Sequence, residues 1–367
     1  MLMNNVVIYN DKWTSGGVES MIINLLKNFD MTDFKITILV GQKETDVYDD
    51  FLKSLNVDFE YLIDGVISNP IKRNLKILKR LGKKIKEINP DIVHINVCNA
   101  IGFKYAQIVK KNSKAKTIVH SHNTMIQNDK FGIKKLSHII NKRKEKYADY
   151  KIGCSNLAGN FMFDGDFDVL KNGVDYERFK YNSTSGSIIR NELNINDKFV
   201  ILNIGRFCDQ KNQLFLVEFF SKLVNIDDKY RLVLVGEGEL KDKIVERVEQ
   251  LKIQNKVFIV SPKKNIEDFY SAADLFVLPS KHEGLPVVGV EAQANGLPAV
   301  FSNTITNEVI LSNHATMLGI DSGDEWSNYI INNTFERYDS KDILASNKYL
   351  IEDSSKYLKN IYYKLLK

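Results

Sequence analysis

The stretch Leu275-Phe276-Val277-Leu278-Pro279-Ser280-Lys281-His282-Glu283-Gly284-Leu285-Pro286-Val287-Val288-Gly289-Val290-Glu291 reads as one strand, one loop and the start of one helix. Leu275 to Leu278 is a continuous apolar run rather than an alternating one, as expected of a strand covered on both faces. Pro286 suits the start of a helix, where its missing N–H costs nothing, and the helix covers roughly 287–295. Gly284 and the amides that follow it can face an anion. Glu283 lies in the loop and Glu291 on the helix, so both carboxylates can face a single pocket. A carboxylate accepts paired hydrogen bonds from neighbouring hydroxyls.

Working outward, the same strand–helix alternation fills the second half of the chain. Strands are read at Phe199–Ile204, Leu232–Val235, Val257–Val260 and Ala299–Ser302, the last clear one, with helices at Leu214–Leu223, Ile244–Leu251 and Ile266–Ala272. Gly236-Glu237-Gly238 closes the second of these strands. The first half repeats the pattern. Val6–Tyr9, Lys35–Val40, Ile92–Ile95, Thr117–His120, Ile152–Ser155 and Asp168–Leu170 read as strands. Val18, Met21, Ile22, Leu25, Leu26 and Phe29 mark one helix, and Ile71, Leu75, Leu78, Leu81, Ile85 and Ile88 another, each at helical spacing. Alternation of this kind implies a parallel sheet with helices on both faces. Its occurrence twice, in a chain of 367 residues, implies two doubly wound α/β domains. The expected boundaries are 1–176, 177–345 and a C-terminal amphipathic helix over 346–367. Tyr181 to Ser187 reads as a polar linker. The terminal helix shows Tyr357, Leu358, Ile361, Tyr362, Leu365 and Leu366 on one face and needs a partner surface.

Ligands of open α/β sheets sit beyond the carboxyl ends of strands, and three further polar clusters fall there. Gly16 and Gly17 follow the first strand. His120-Ser121-His122-Asn123 ends another, with one histidine expected to line a substrate cleft. Gly205-Arg206 and Lys211-Asn212 follow the first strand of the second half and suit a diphosphate, whose oxygens concentrate charge. Metal is not expected: the paired histidines lack a third ligand nearby, and Asp164-Gly165-Asp166 reads as a solvated turn. Cys98, Cys154 and Cys208 have neither disulfide nor metal spacing and read as small core residues in a reducing cytoplasm.

Hydrophobic residues at 44% and charged residues at 26% describe a globular protein. No apolar run reaches the roughly 20 residues of a spanning helix, and no leader for secretion is read at the start. The net charge of +5 is unevenly placed. Residues 71–150 carry 20 Lys and Arg against 5 Asp and Glu, a local balance of +15. Such a region can meet an anionic membrane surface. Nucleic acid is not expected, because aromatic stacking positions are not interleaved with the charges.

Taken together these motifs resemble the retaining GT-B glycosyltransferases of family 4, over residues 5 to about 310. The segment Ser280 to Ala292 resembles their Glu-x7-Glu signature. Gly205-Arg206-Phe207 with Gln210-Lys211-Asn212 is similar to their phosphate-binding segment, and Gly16-Gly17 to their N-terminal glycine loop. His120-Ser121-His122-Asn123 and Thr304-Ile305-Thr306-Asn307-Glu308 resemble the branch that builds bacterial capsular polysaccharides and exopolysaccharides. Val260-Ser261-Pro262 departs from the family where a glycine is common, which leaves base recognition open. The resemblance implies two Rossmann-like domains facing across a cleft, with the terminal helix packing back on the N-terminal, acceptor-binding domain. It implies a nucleotide-sugar donor, a UDP-sugar, and a saccharide or polyprenyl-linked saccharide acceptor, with no metal and no other cofactor. In this reading Arg206 and Lys211 hold the donor diphosphate beside Gly205, and Glu291 binds the ribose hydroxyls. Glu283 contacts the transferred sugar, with the backbone of Gly284, Leu285, Pro286 and Val287 lining the donor site. His122 reaches the sugar from the N-terminal domain, and Gly16 and Gly17 approach the phosphates. Two other readings share parts of this pattern: a nucleotide-sugar epimerase of related fold, and a non-catalytic partner in a polysaccharide assembly complex.

Overall fold

The computed structural model describes residues 3–14, 16–46, 48–55, 57–126, 132–262 and 265–367. Two compact units result: Met1–Gly173 with Ile351–Lys367, and Val174–Leu350.

In the first unit the elements run β1 (Asn4–Trp13), α1 (Gly17–Lys27), β2 (Phe34–Lys43), α2 (Asp49–Ser54), β3 (Asp58–Tyr61), α3 (Pro70–Ile88), β4 (Ile92–Val97), α4 (Ile101–Asn112), β5 (Lys116–Ser121), α5 (Ile133–Lys142), β6 (Tyr150–Gly153), α6 (Asn156–Met162) and β7 (Asp168–Val169). Among the described residues the strands form one seven-stranded parallel sheet in the order β3-β2-β1-β4-β5-β6-β7. The order reverses between β1 and β4, which places the ligand crevice of such a sheet there. The central strand β4 is buried along its whole length.

The second unit contains α7 (Tyr176–Phe179), α8 (Ser183–Leu193), β8 (Phe199–Ile204), α9 (Gln213–Ile226), β9 (Tyr230–Val235), α10 (Lys241–Gln250), β10 (Val257–Val260), α11 (Ile266–Ala272), β11 (Leu275–Leu278), α12 (Val287–Ala294), β12 (Ala299–Ser302), β13 (Ala315–Leu318), α13 (Gly323–Asn332) and α14 (Lys341–Ser346). Its parallel sheet has the order β10-β9-β8-β11-β12-β13, so the crevice falls between β8 and β11. Their ladder pairs Leu275 with Ile201 and Phe276 with Leu202. Beyond it the Asn203 amide reaches across, donating to the Val277 carbonyl at 2.8 Å.

The last helix, α15 (Ile351–Leu366), belongs to the first unit, as the resemblance implied. Leu358, Ile361 and Tyr362 are buried, with the Tyr362 ring against Phe29 and Phe34. An aliphatic side chain buried in this way contributes about 1.5–3 kcal/mol relative to exposure. Ser355 donates to the Leu25 carbonyl at 3.0 Å, and Lys359 pairs with Asp30 at 2.6 Å. Tyr357, expected on the inner face, is exposed.

Other expectations are corrected. Residues 183–187 open α8 instead of forming a linker. Asn182 caps that helix by accepting from Ser185 N at 3.1 Å, and Gly186 lets it pack close, since a Cβ there would lie 2.5 Å from the Ser271 carbonyl oxygen. Residue Ser155 caps α6, accepting from Ala158 N, and is not part of a strand. Strands β3 and β13 lack fully buried runs and were not legible. Cys98 is exposed, unlike Cys154 and Cys208. In α3 the inner face is rotated: Ile71 and Leu75 are exposed, whereas Arg73, Ile77, Leu81 and Ile85 are buried. The cause is an ion pair from Arg73 to Asp11 at 2.6 Å, backed by Tyr105 donating to the other Asp11 oxygen. Helix α5 is turned further still. It buries His138 and Asn141 and exposes Ile133, Leu136, Ile139 and Ile140. The apolar and basic pattern over residues 131–140 reads as an amphipathic segment, and its first residue, Phe131, lies outside the described residues.

Candidate active site

In the second unit two loops meet at the mouth of the β8/β11 crevice. The chain leaves β8 through Gly205, where the Gly205 amide bonds the Val235 carbonyl at the end of β9. Gly236 must lack a side chain, because a Cβ there would sit 2.0 Å from the Gly205 carbonyl oxygen. Asn212, at φ 59°, turns the chain into α9. The loop after β11 is stitched to this turn. Lys281 N donates to the Gln210 carbonyl at 2.8 Å, Gln210 Nε2 to the His282 carbonyl at 2.9 Å, and Asn212 Nδ2 to the Pro279 carbonyl at 3.2 Å. On the other side Thr304 Oγ1 donates to the Ser280 carbonyl at 3.0 Å, which gives the Thr304–Glu308 motif a structural role beneath this loop.

The stitching brings Lys211 Nζ to 2.7 Å from Glu283 Oε1, with both side chains largely buried. Arg206 is exposed at the end of β8, and Gln213 anchors its backbone by donating to its carbonyl at 3.1 Å. Gly284, Leu285, Pro286 and Val287 are buried and lead into α12, for which Pro286 is the N-cap residue.

Glu291 lies one helix face further on and is buried. Tyr270 donates to its Oε2 at 2.8 Å. Burial raises the Glu291 carboxyl to about 7, against the lowering effect of the Tyr270 hydrogen bond and the Arg178 charge. Arg178 itself pairs with Glu267 at 2.9 Å. The structure gives Lys211 to Glu283, and surrounds Glu291 with Tyr270 and Arg178.

In the first unit Gly16 is the N-cap of α1, and Ser15 lies outside the described residues. Beneath this turn Glu19 is buried, accepting from Asn10 Nδ2 at 3.1 Å and from Thr14 N and Oγ1 at 3.2 Å. Burial raises its carboxyl. A Cβ on Gly16 would meet Glu19 Oε2 at 2.8 Å. The turn thus packs on an internal carboxyl group. Across the sheet, His122 Nε2 lies 2.9 Å from Asn96 Oδ1, and its ring packs on His120 at 4.0 Å between centroids. A separate row joins Tyr362 OH to His94 Nδ1 at 2.9 Å and His94 Nε2 to His120 Nδ1 at 3.2 Å. Burial pushes His94 and His122 down to about 3 and His120 well below its usual value. Asp164 and Asp166 stand on an exposed turn, with Asp164 paired to Lys142 at 2.6 Å.

Residues 186–350 match the family described as glycosyl transferases group 1, and residues 15–178 match glycosyltransferase family 4. A Bacillus subtilis protein, EpsF, named as a glycosyltransferase, is 30% identical over 304 residues, covering 80% of this chain and 78% of its own. The chain belongs to the family 4 glycosyltransferases. The Escherichia coli UDP-Gal:alpha-D-GlcNAc-diphosphoundecaprenol alpha-1,3-galactosyltransferase is 31% identical over 149 residues, 40% of this chain and 38% of that one. The Staphylococcus aureus capsular polysaccharide biosynthesis glycosyltransferase CapM is 28% identical over 180 residues, 48% and 46% of the two chains. Among solved structures, Anabaena HepE in complex with UDP and glucose superposes with a TM-score of 0.80 at 15% identity, covering 98% of this chain and 99% of that one. That likeness confirms the GT-B fold.

In this glycosyltransferase the structure therefore joins Lys211 to Glu283, and seats His122 against Asn96. Tyr270, Arg178, Asn96 and Glu19 were not singled out by sequence reasoning. Tyr270 sits in a helix that reads as ordinary core, and Arg178 just past the expected domain boundary. Asn96 is a polar residue inside an apolar strand, the one signal that could have drawn attention to it.

Proposed function

We propose that the enzyme moves a hexosyl or N-acetylhexosaminyl group from a UDP-sugar to a saccharide or lipid-linked saccharide, with retention of anomeric configuration, in surface polysaccharide synthesis. The observation that carries this reading is the Lys211–Glu283 pair at the β8/β11 crevice, with Glu291 buried on the following helix. A donor diphosphate draws Lys211 away from Glu283, since phosphate oxygens carry more charge than one carboxylate. Glu283 is then released toward the sugar hydroxyls, and Arg206 joins Lys211 on the diphosphate. The bond from the anomeric carbon to the phosphate oxygen breaks, the acceptor oxygen bonds the same carbon on the same face, and the leaving phosphate takes the acceptor proton. No nucleophile of the enzyme is needed. The two cations stabilise the departing charge, the task a metal ion performs elsewhere. The capsular and diphosphoundecaprenol relatives support the acceptor class.

Purified, demetallated enzyme with chelator present, offered a panel of nucleotide-sugars and a lipid-linked acceptor, is expected to release UDP and give an α-linked product from an α-linked donor. Strict dependence on added Mn²⁺, or an inverted product, would reject the respective part.

The reading extends to location. Among the described residues no helix is long and apolar enough to cross a membrane. Helix α5 carries Ile133, Leu136, Ile139 and Ile140 outward beside exposed Lys134 and Lys135, and exposed Lys72, Lys76, Lys79 and Lys83 line α3. Apolar and cationic side chains on one exposed helix fit an anionic lipid interface. Each lysine near such a surface contributes about 1 kcal/mol. Co-sedimentation with anionic vesicles is expected to fall with salt, and to drop several-fold in Lys134→Gln/Lys135→Gln and in Leu136→Ser. Lys142 is paired with Asp164 at 2.6 Å. Equal sedimentation with neutral and anionic vesicles would remove the charge argument.

A further inference from the structure

Asn96 is buried at the carboxyl end of β4, and its side chain has two partners of known character. Its Nδ2 faces the Tyr9 carbonyl at 3.4 Å. A carbonyl oxygen only accepts, so the amide nitrogen belongs on that side, and Oδ1 is left facing His122 Nε2 at 2.9 Å. Oδ1 is also only an acceptor. The proton of a neutral His122 must therefore sit on Nε2. We propose that Asn96 is a positioning residue that locks His122 as the Nε2–H tautomer, so that Nδ1 presents a bare lone pair to a hydroxyl of the transferred sugar.

The surroundings agree with a neutral ring. His120 packs against the His122 ring as a tilted neighbour, and burial opposes protonation of the whole histidine group. The Tyr362–His94–His120 row runs beside His122 without a hydrogen bond to it. His122 thus takes its tautomer from Asn96 alone among the described residues. The substrate consequence is specific. An acceptor nitrogen favours a hydroxyl, which can donate, and disfavours a carboxylate, which cannot. Where that nitrogen faces C6, the sugar placed there is a neutral hexose or N-acetylhexosamine rather than a uronate. This step rests on the reading of His122 as a sugar-facing residue, while the tautomer does not.

The test is long-range ¹H–¹⁵N correlation of histidine side chains in the full chain at neutral pH, without any substrate. His122→Gln identifies the His122 signals. The expected pattern is a protonated Nε2 and an unprotonated Nδ1. A protonated Nδ1, or a fully protonated ring, would overturn the proposal whatever the enzyme transfers. In Asn96→Leu the signals should move toward a mixture of both tautomers, and unchanged signals would overturn the role of Asn96. Should that variant fail to fold, Asn96→Asp keeps the shape and adds a charge: His122 should then titrate at a clearly higher pH, and a titration like that of the original protein overturns the assignment. With donor added, Asn96→Leu should raise KM for a hexose donor about twofold, the share of rings left in the wrong tautomer, and narrow its preference over the matching uronate. Intact transfer kinetics with a mixed tautomer would overturn the sugar-facing part alone. Absence of transfer in the unaltered enzyme would overturn the proposed function and leave the tautomer standing.

Discussion

Arg206→Ala and Lys211→Ala are each expected to lower turnover about a hundredfold or more with saturating donor, the usual cost of removing one group that stabilises charge developing in the transition state. In the proposed role both cations would meet the diphosphate more strongly as its bond to the sugar breaks than in the bound donor, so the loss should fall on turnover rather than on donor KM. The two variants differ in their side effects. Arg206 is exposed, so its removal should disturb packing less. Lys211 is the ion-pair partner of Glu283 in a largely buried position, and its loss strands a carboxylate. Lys211→Ala should therefore also melt earlier, and Lys211→Ala combined with Glu283→Gln should recover part of that stability without recovering turnover. Single-turnover measurement with thermal melts on the same samples checks both points. Near-normal turnover in either single variant would reject the diphosphate assignment.

The second large effect concerns Glu291. Its carboxyl sits at about 7 in the folded protein because it is buried. Only the ionised form accepts from both hydroxyls of a ribose, so affinity for free UDP should rise as pH increases through about 7. Glu291→Gln should lower that affinity by about ten- to a hundredfold, the range for hydrogen bonds to a charged group, and should abolish the pH dependence. Titration calorimetry between about pH 6 and 8 reads both. Folding stability runs the other way. A carboxyl raised by burial favours the protonated folded state, so its contribution is fully present below the unfolded value and is lost as pH rises through the folded one. Binding strengthens and stability weakens over the same interval. Glu283→Ala, by contrast, should lower turnover without weakening UDP affinity, since it frees Lys211 for the diphosphate. Equal losses of affinity in both carboxylate variants would reject the division of roles.

Much of this enzyme was legible in its sequence. Continuous apolar runs such as Leu275–Leu278 identify buried parallel strands, because a strand covered on both faces cannot afford alternation. Helical spacing beside them, repeated through both halves, implies two doubly wound units. Strand ends marked by Gly205, Arg206, Lys211, Glu283 and Glu291 locate the candidate chemistry. Local patterns suffice there because the βα unit is itself local.

Only the tertiary structure decided the rest. That Arg73 rather than Ile71 faces inward on α3 goes with its ion pair to Asp11 on a distant strand, a partner that local spacing does not reveal. Helix α5 shows polar residues inward because His138 meets the Ala100 amide and the Phe161 ring there. The cation that answers Glu283, the phenol that answers Glu291 and the amide that orients His122 all arrive from distant elements. Residue spacing carries the period of a helix or a strand. It does not carry which buried polar group meets which, and in the fold that pairing sets the tautomer of His122 while burial raises the carboxyl of Glu291.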